Sequence, residues 1–197
     1  ACPDGTLTPR AVFVRGGGAS IEENPMQSLY DLDAVAPMER ELSNVGVTPL
    51  KTPGEVDAAL GGDFPGTTLL VINSVCGCAA SSCRPGVTRA LQHRVIPDRL
   101  FTVFAGVDIS ATARARRYLP DGVNSSPNVM LFRAGTPVCI LTRQDIEIHE
   151  ADGLAAFLVD LFERECGRPG PSAPPEVFAR NEPVNPGCSA VPPYRGN

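Results

Sequence analysis

Tryptophan is absent from this 197-residue chain, and only two histidines, His93 and His149, are present. So few imidazoles leave little material for a histidine-rich metal site or a serine–histidine nucleophile pair. Positive charge is also short: 17 Lys and Arg against 22 Asp and Glu give a net charge of −5 and a pI near 5.1. That balance offers no basic surface to nucleic acid and only weak attraction to a membrane. No apolar run approaches the roughly 18 residues a membrane span needs. No charged-then-apolar secretory leader is present either, although a chain that begins at Ala1-Cys2 says little about export on that count. Gly16-Gly17-Gly18 lacks both the strand–helix context and the lysine of a phosphate cradle. Seven cysteines, at 2, 76, 78, 83, 139, 166 and 188, are odd in number and too few for a disulfide-dense scaffold. At 43% hydrophobic residues the chain can bury one substantial core without staples. A reducing, cytoplasmic setting with a subset of working thiols is expected.

What is there is a pair of thiols in an informative place. Cys76-Gly77-Cys78 follows the strand-like run Thr67 to Asn73 through Ser74-Val75, and a helix is expected to begin at about Cys78. A helix amino terminus favours the thiolate, which is the reactive form. Gly77 permits the tight bend that a bond between such close neighbours requires. The small ring would be readily reduced, which suits a disulfide that is exchanged. Two other readings stand beside this one: half of a metal site, or two buried small hydrophobes. The spacing argues against ordinary zinc, whose paired cysteines usually lie two to four residues apart.

Along the chain, residues 1 to about 30 read as an irregular arm. Val35, Met38, Leu42 and Val45 form a helical stripe that stops at Gly46. Val47 to Leu50 reads as a short strand. Thr52-Pro53-Gly54-Glu55 is a capping box opening a helix to Leu60. The helix after Cys78 runs to about Val95 and should kink at Pro85-Gly86. Leu100 to Val107 is a strand, and Ser110 caps a helix over Ala111–Tyr118. There, Arg114, Arg116 and Arg117 suggest a solvated face. Asn128–Phe132 and Val138–Thr142 read as a hairpin turning at Ala134-Gly135-Thr136. Leu154, Phe157, Leu158, Leu161 and Phe162 make a core stripe. From Gly167 eight prolines fall among 31 residues, an extended tail. Strands joined by helices, then a hairpin and a covering helix, predict an α/β domain over 31–166 with a central mixed sheet.

Strand, Cys-X-Cys on a kinked helix, and Ser126-Pro127 before the hairpin together resemble a thioredoxin-like fold, in which a cis-proline faces the reactive cysteines. More closely, Asn73-Ser74-Val75-Cys76-Gly77-Cys78-Ala79-Ala80 with Arg84-Pro85 resembles the signature of the bacilliredoxins, formerly a domain of unknown function. Pro37-Met38-Glu39-Arg40-Glu41-Leu42, Thr52 to Asp57, Ser125-Ser126-Pro127 and Phe162-Glu163-Arg164-Glu165-Cys166 extend the similarity over about residues 30 to 166. The resemblance implies a thiol–disulfide oxidoreductase that removes a bacillithiol-type cap from oxidised or S-thiolated client proteins. Cys76 would attack, Cys78 would resolve, and Gly77, Ser126 and Pro127 would support them. Disulfide isomerisation is a related activity. No cofactor is implied beyond the small thiol as co-substrate, and a homodimer is compatible with the family.

Three departures stand out. Cys83, about one and a half turns past Cys78, is an extra thiol: a third redox group, a ligand or a buried helix residue. The arm and the tail match no recognised part of the family signature, which leaves Cys2 and Cys188 unassigned. The missing tryptophan sets the chain apart from general thioredoxins and puts their usual reductase in doubt. Competing readings are a metal or iron–sulfur protein using Cys76, Cys78, Cys83 and Cys139, and an interaction module whose tail docks on a partner or a second copy.

Overall fold

Seven consecutive buried residues, Thr67–Asn73, form β2, the middle strand of a five-stranded sheet. A computed structural model describes residues 27–61, 64–185 and 191–194; the expectations placed on Gly16-Gly17-Gly18, Cys2 and Cys188 lie outside them. The other sheet strands are β1 (Thr48–Pro49), β4 (Arg99–Phe104), β5 (Asn128–Arg133) and β6 (Thr136–Leu141). Their order is β1-β4-β2-β5-β6, with β1 and β2 parallel to β4, and β5 and β6 antiparallel in turn. This mixed sheet, flanked by helices, is the thioredoxin-like architecture expected. β3 (Val95–Ile96) stands apart and pairs antiparallel with β7 (Arg168–Pro169).

Both faces of the sheet are covered, which is why β2 reads as an unbroken apolar run. Leu69 and Val71 enter one core with Val87, Leu154, Leu158 and Phe162. Those partners come from α3 (Arg84–Ala90) and α6 (Ala151–Glu165). Leu70 and Ile72 enter the other with Val56, Ala111 and Phe132. Here the helices are α2 (Pro53–Leu60), opened by the Thr52–Glu55 capping box, and α4 (Ile109–Ala115). Strand alternation therefore divides one sequence run between two cores. α1 (Leu32–Ser43) carries the predicted stripe and ends before Gly46, whose φ is 85°. The hairpin turns through Ala134 and Gly135, both at positive φ, as a two-residue connection requires.

Three local expectations need correction. The helix expected to start after Ser110 begins at Ile109, because Asp108 closes the entry turn by accepting the Phe104 N–H at 2.9 Å. It also ends earlier, in a tight 3₁₀ turn over Arg116–Tyr118. The predicted kink at Pro85 is instead a wide π-helical turn over Ala79–Cys83, continuous with α3. Proline cannot donate to the preceding turn and its ring crowds the carbonyl there. Widening the turn so that Arg84 N–H reaches Ala79 O accommodates that ring.

The described tail is laid on the domain. Beyond β7, α7 (Pro175–Phe178) forms a single turn. Val191 is buried with Val35, Met38, Val75 and Phe104. Asp31 N–H donates to Pro192 O at 3.0 Å, and Tyr194 N–H to Leu29 O at 3.0 Å. No helix among the described residues is long and apolar enough to cross a membrane.

Candidate functional site

β2 ends at Asn73, and its last side chain organises the bend that follows. Asn73 Oδ1 accepts the Ser74 N–H at 2.8 Å, and the chain then turns through Val75 into the helix spanning residues 77–90. The Cys76 carbonyl receives the N–H groups of Ala79 and Ala80, so Cys76 stands at the head of that helix. Its sulfur, half-buried, lies 2.9 Å from Cys78 Sγ and 3.0 Å from Ser74 Oγ. Cys76 Sγ also donates to Ser126 O at 3.7 Å. The Ser126–Pro127 bond is cis, with Pro127 buried at the start of β5.

The two cysteines are free thiols in this structure. A bond between them needs the sulfurs to approach by only about 1 Å. Burial, reinforced by the hydrogen bond to Cys76 and the charge beside it, pushes the Cys78 thiol up to about 12. Cys78 thus keeps its proton at neutral pH and can donate it to the Cys76 sulfur. Beside Cys78, Arg143 holds the Glu147 carboxylate below its usual range. Arg143 and Glu147 pair four residues apart at 2.5 Å on α5 (Arg143–Glu147), which Thr142 and Asp145 cap.

Below the pair lies an ion pair shut off from water. Arg84, 0% exposed, donates from Nε to Glu41 Oε1 at 2.8 Å and from a terminal nitrogen to Ser74 O at 2.9 Å. Its other terminal nitrogen reaches Val184 O at 2.6 Å, while Val184 N–H donates to Glu41 Oε1 at 3.0 Å. Burial raises the Glu41 carboxyl above its ordinary value, against the pull of Arg84. Arg84 therefore ties the bend that carries Cys76 to α1 and to the tail at once.

The structure brings together Cys76, Gly77, Cys78, Ser126 and Pro127, as the sequence reading grouped them. Cys83 is fully buried, and burial pushes its thiol up to about 12. Cys139 is disulfide-bonded on β6, so it has no thiolate to give the four-cysteine arrangement considered for a metal or cluster. Among the described residues no three His, Cys, Asp or Glu side chains are placed to hold a metal ion. Cys166 lies beside Thr67, at the start of β2, whereas Cys76 follows its end, about 20 Å away along the strand.

Sequence reasoning gave Arg84 no partner, overlooked Arg143 and Glu147, and read Arg116 as solvated. The Arg143–Glu147 spacing behind a capping box was a signal that could have been found. Arg116 corrects the reading of a solvated face: Arg114 pairs with Asp57 outside, but Arg116 lines an open cavity of about 470 Å³ that Cys76 also lines.

Comparison with known proteins agrees with this geometry. A family model described as "Disulphide isomerase" matches residues 30–166. A bacilliredoxin of Salinibacter ruber is 47% identical over 161 residues, covering 80% of this chain and 92% of the relative; the match is longer than residues 30–166 and so enters the arm or the tail, which corrects the expectation that neither has a counterpart. One of Cytophaga hutchinsonii is 44% identical over 135 residues, 68% of this chain and 98% of the relative. One of Geobacillus kaustophilus is 45% identical over 138 residues, 70% and 93% respectively. Those names describe a thiol–disulfide redox family. Similarity of that depth, over nearly the whole length of each relative, places the chain in the bacilliredoxin family.

Proposed function

We propose that the chain is a thiol–disulfide oxidoreductase that strips a low-molecular-weight, bacillithiol-type thiol from client cysteines. One observation carries the assignment of roles: of the two neighbouring sulfurs, Cys76 lines the open cavity and Cys78 does not. The Cys76 thiolate attacks the cap sulfur of the client's mixed disulfide. A Cys76–cap disulfide forms, the client S–S bond breaks, and the client leaves as a thiolate. Cys78 then attacks Cys76 and passes its proton to the departing cap sulfur, so the Cys76–Cys78 disulfide forms, the Cys76–cap bond breaks and the cap leaves as a thiol. Two electrons have passed to the client, and an external thiol must return them to the pair. A second small thiol attacking the capped Cys76 is the alternative release. The family description supports disulfide isomerisation by the same pair, with a client cysteine in place of the cap.

Replacing Cys76 with serine should abolish release of a small-thiol cap from a client. Cys78→Ser should accumulate the capped Cys76 species, seen by mass spectrometry of the intact protein. Full turnover by the Cys76→Ser variant would falsify the assignment.

A further inference from the structure

The cavity beside Cys76 holds more than the exchanging sulfur. Thr112 and Arg116 stand four residues apart, on α4 and its 3₁₀ extension, and both line the cavity. Thr112 is 2% exposed, and its hydroxyl has no hydrogen-bond partner. Arg116 Nε is likewise buried and unpaired. A buried polar group without a partner is costly, and two in one cavity wall mark a place where a guest would supply the missing acceptors. Arg143 lines the same cavity, with Asn124 and Ser125 at its polar edge. Among the described residues neither Asp nor Glu lines it, although acids outnumber bases in the chain. Arg143 is already paired with Glu147, which leaves Arg116 as the guanidinium in this wall with no carboxylate beside it among the described residues. Burial holds the Arg116 pKa below its usual value, as expected of a cation with no counter-charge beside it.

We propose that Arg116, with Thr112, is an anion subsite that binds a carboxylate of the small thiol carried as the cap. The assignment rests on Cys76 as the thiol that accepts the cap. A guanidinium fork matches a carboxylate in plane, and a hydroxyl one turn away can donate to the same group. Binding there places the cap sulfur over Cys76, so the subsite selects caps by charge while the sulfur performs the exchange.

The test uses one client peptide, amidated and free of acidic residues, capped in turn with mercaptosuccinate and with 2-mercaptoethanol. Any preference then comes from the cap and not from a client carboxylate. The wild-type protein should remove the mercaptosuccinate cap with a kcat/KM at least about tenfold higher, the scale of one charge-assisted hydrogen bond. Arg116→Gln should bring the ratio toward one, and Arg116→Lys should keep part of it. Equal rates on both caps in the wild type overturn the subsite and leave thiol exchange standing. Removal of neither cap, or removal that survives Cys76→Ser, fails the exchange reading instead. The subsite is then judged by titrating the S-methyl ether of mercaptosuccinate into ¹⁵N-labelled protein. A shift of the Arg116 Nε–H resonance supports it, and a resonance that stays in place overturns it.

Discussion

Cys76, Cys78 and Cys83 lie within one short stretch and meet different surroundings. The pair is half-buried at the bend, while Cys83, the last residue of the π turn, is sealed in the core. Its folded pKa of about 12 lies above the ordinary 9.0 that the unfolded chain would show. Below pH 9 both states hold the proton and the contribution is whole. Between about 9 and 12 only the folded state keeps it, so stability falls as pH rises, by at most about 1.4 kcal/mol per pH unit for this proton. Cys83→Ala should flatten the alkaline part of a denaturant-midpoint profile, after an initial loss near 1 kcal/mol from the missing buried sulfur. An unchanged slope would show that other groups set it. At this scale the sequence was legible where chemistry is local: two thiols, a glycine and a serine–proline. It was silent on Arg84, because Glu41 lies 43 positions earlier and only the folded sheet and helices bring the two together.

Elements were legible through periodicity and caps. The α6 stripe, the Thr52–Glu55 box and the hairpin needed nothing beyond their own residues. The entry to α4 was misread because Asp108 uses its carboxylate on the preceding strand, a partner choice that spacing does not reveal. Close packing of α3 on α6 gives a prediction here. A Cβ on Gly86 would meet Leu154 Cδ2 at 2.9 Å and its Cβ and Cγ at 3.0 Å. Alanine in a helix gains about 1 kcal/mol over glycine, whereas overpacking costs about 1–3 kcal/mol. Leu154 Cβ is fixed to the α6 backbone and cannot swing away, so the second effect should win. Gly86→Ala should lower stability in urea by about 1 kcal/mol; a gain would mean that α6 shifts to make room.

For the whole molecule, the match to the family model ends at residue 166, yet the buried pair inside it is completed by Val184 outside it. Ending the chain at residue 180 removes both Val184 bonds and the burial of Val191. Hydrogen bonds to charged groups contribute about 1.5–3 kcal/mol each, with water replacing part of that at the opened edge. The shortened chain should therefore lose roughly 2–4 kcal/mol in denaturant unfolding. A midpoint equal to that of the full chain would make the tail a mere appendage. Proline content alone marked this segment as extended and could not show where its polar groups would be satisfied.

Leu29 and Tyr30 form part of the wall of the Cys76 cavity, and Pro192 and Tyr194 grip the backbone on either side of Tyr30. Two equilibria that share a segment are bound by reciprocity: any advantage a guest draws from a clasped Tyr30 returns to the clasp as an equal factor. Pro192 and Tyr194 are thereby made silent parties to exchange in a cavity whose described lining does not include Pro192 or Tyr194.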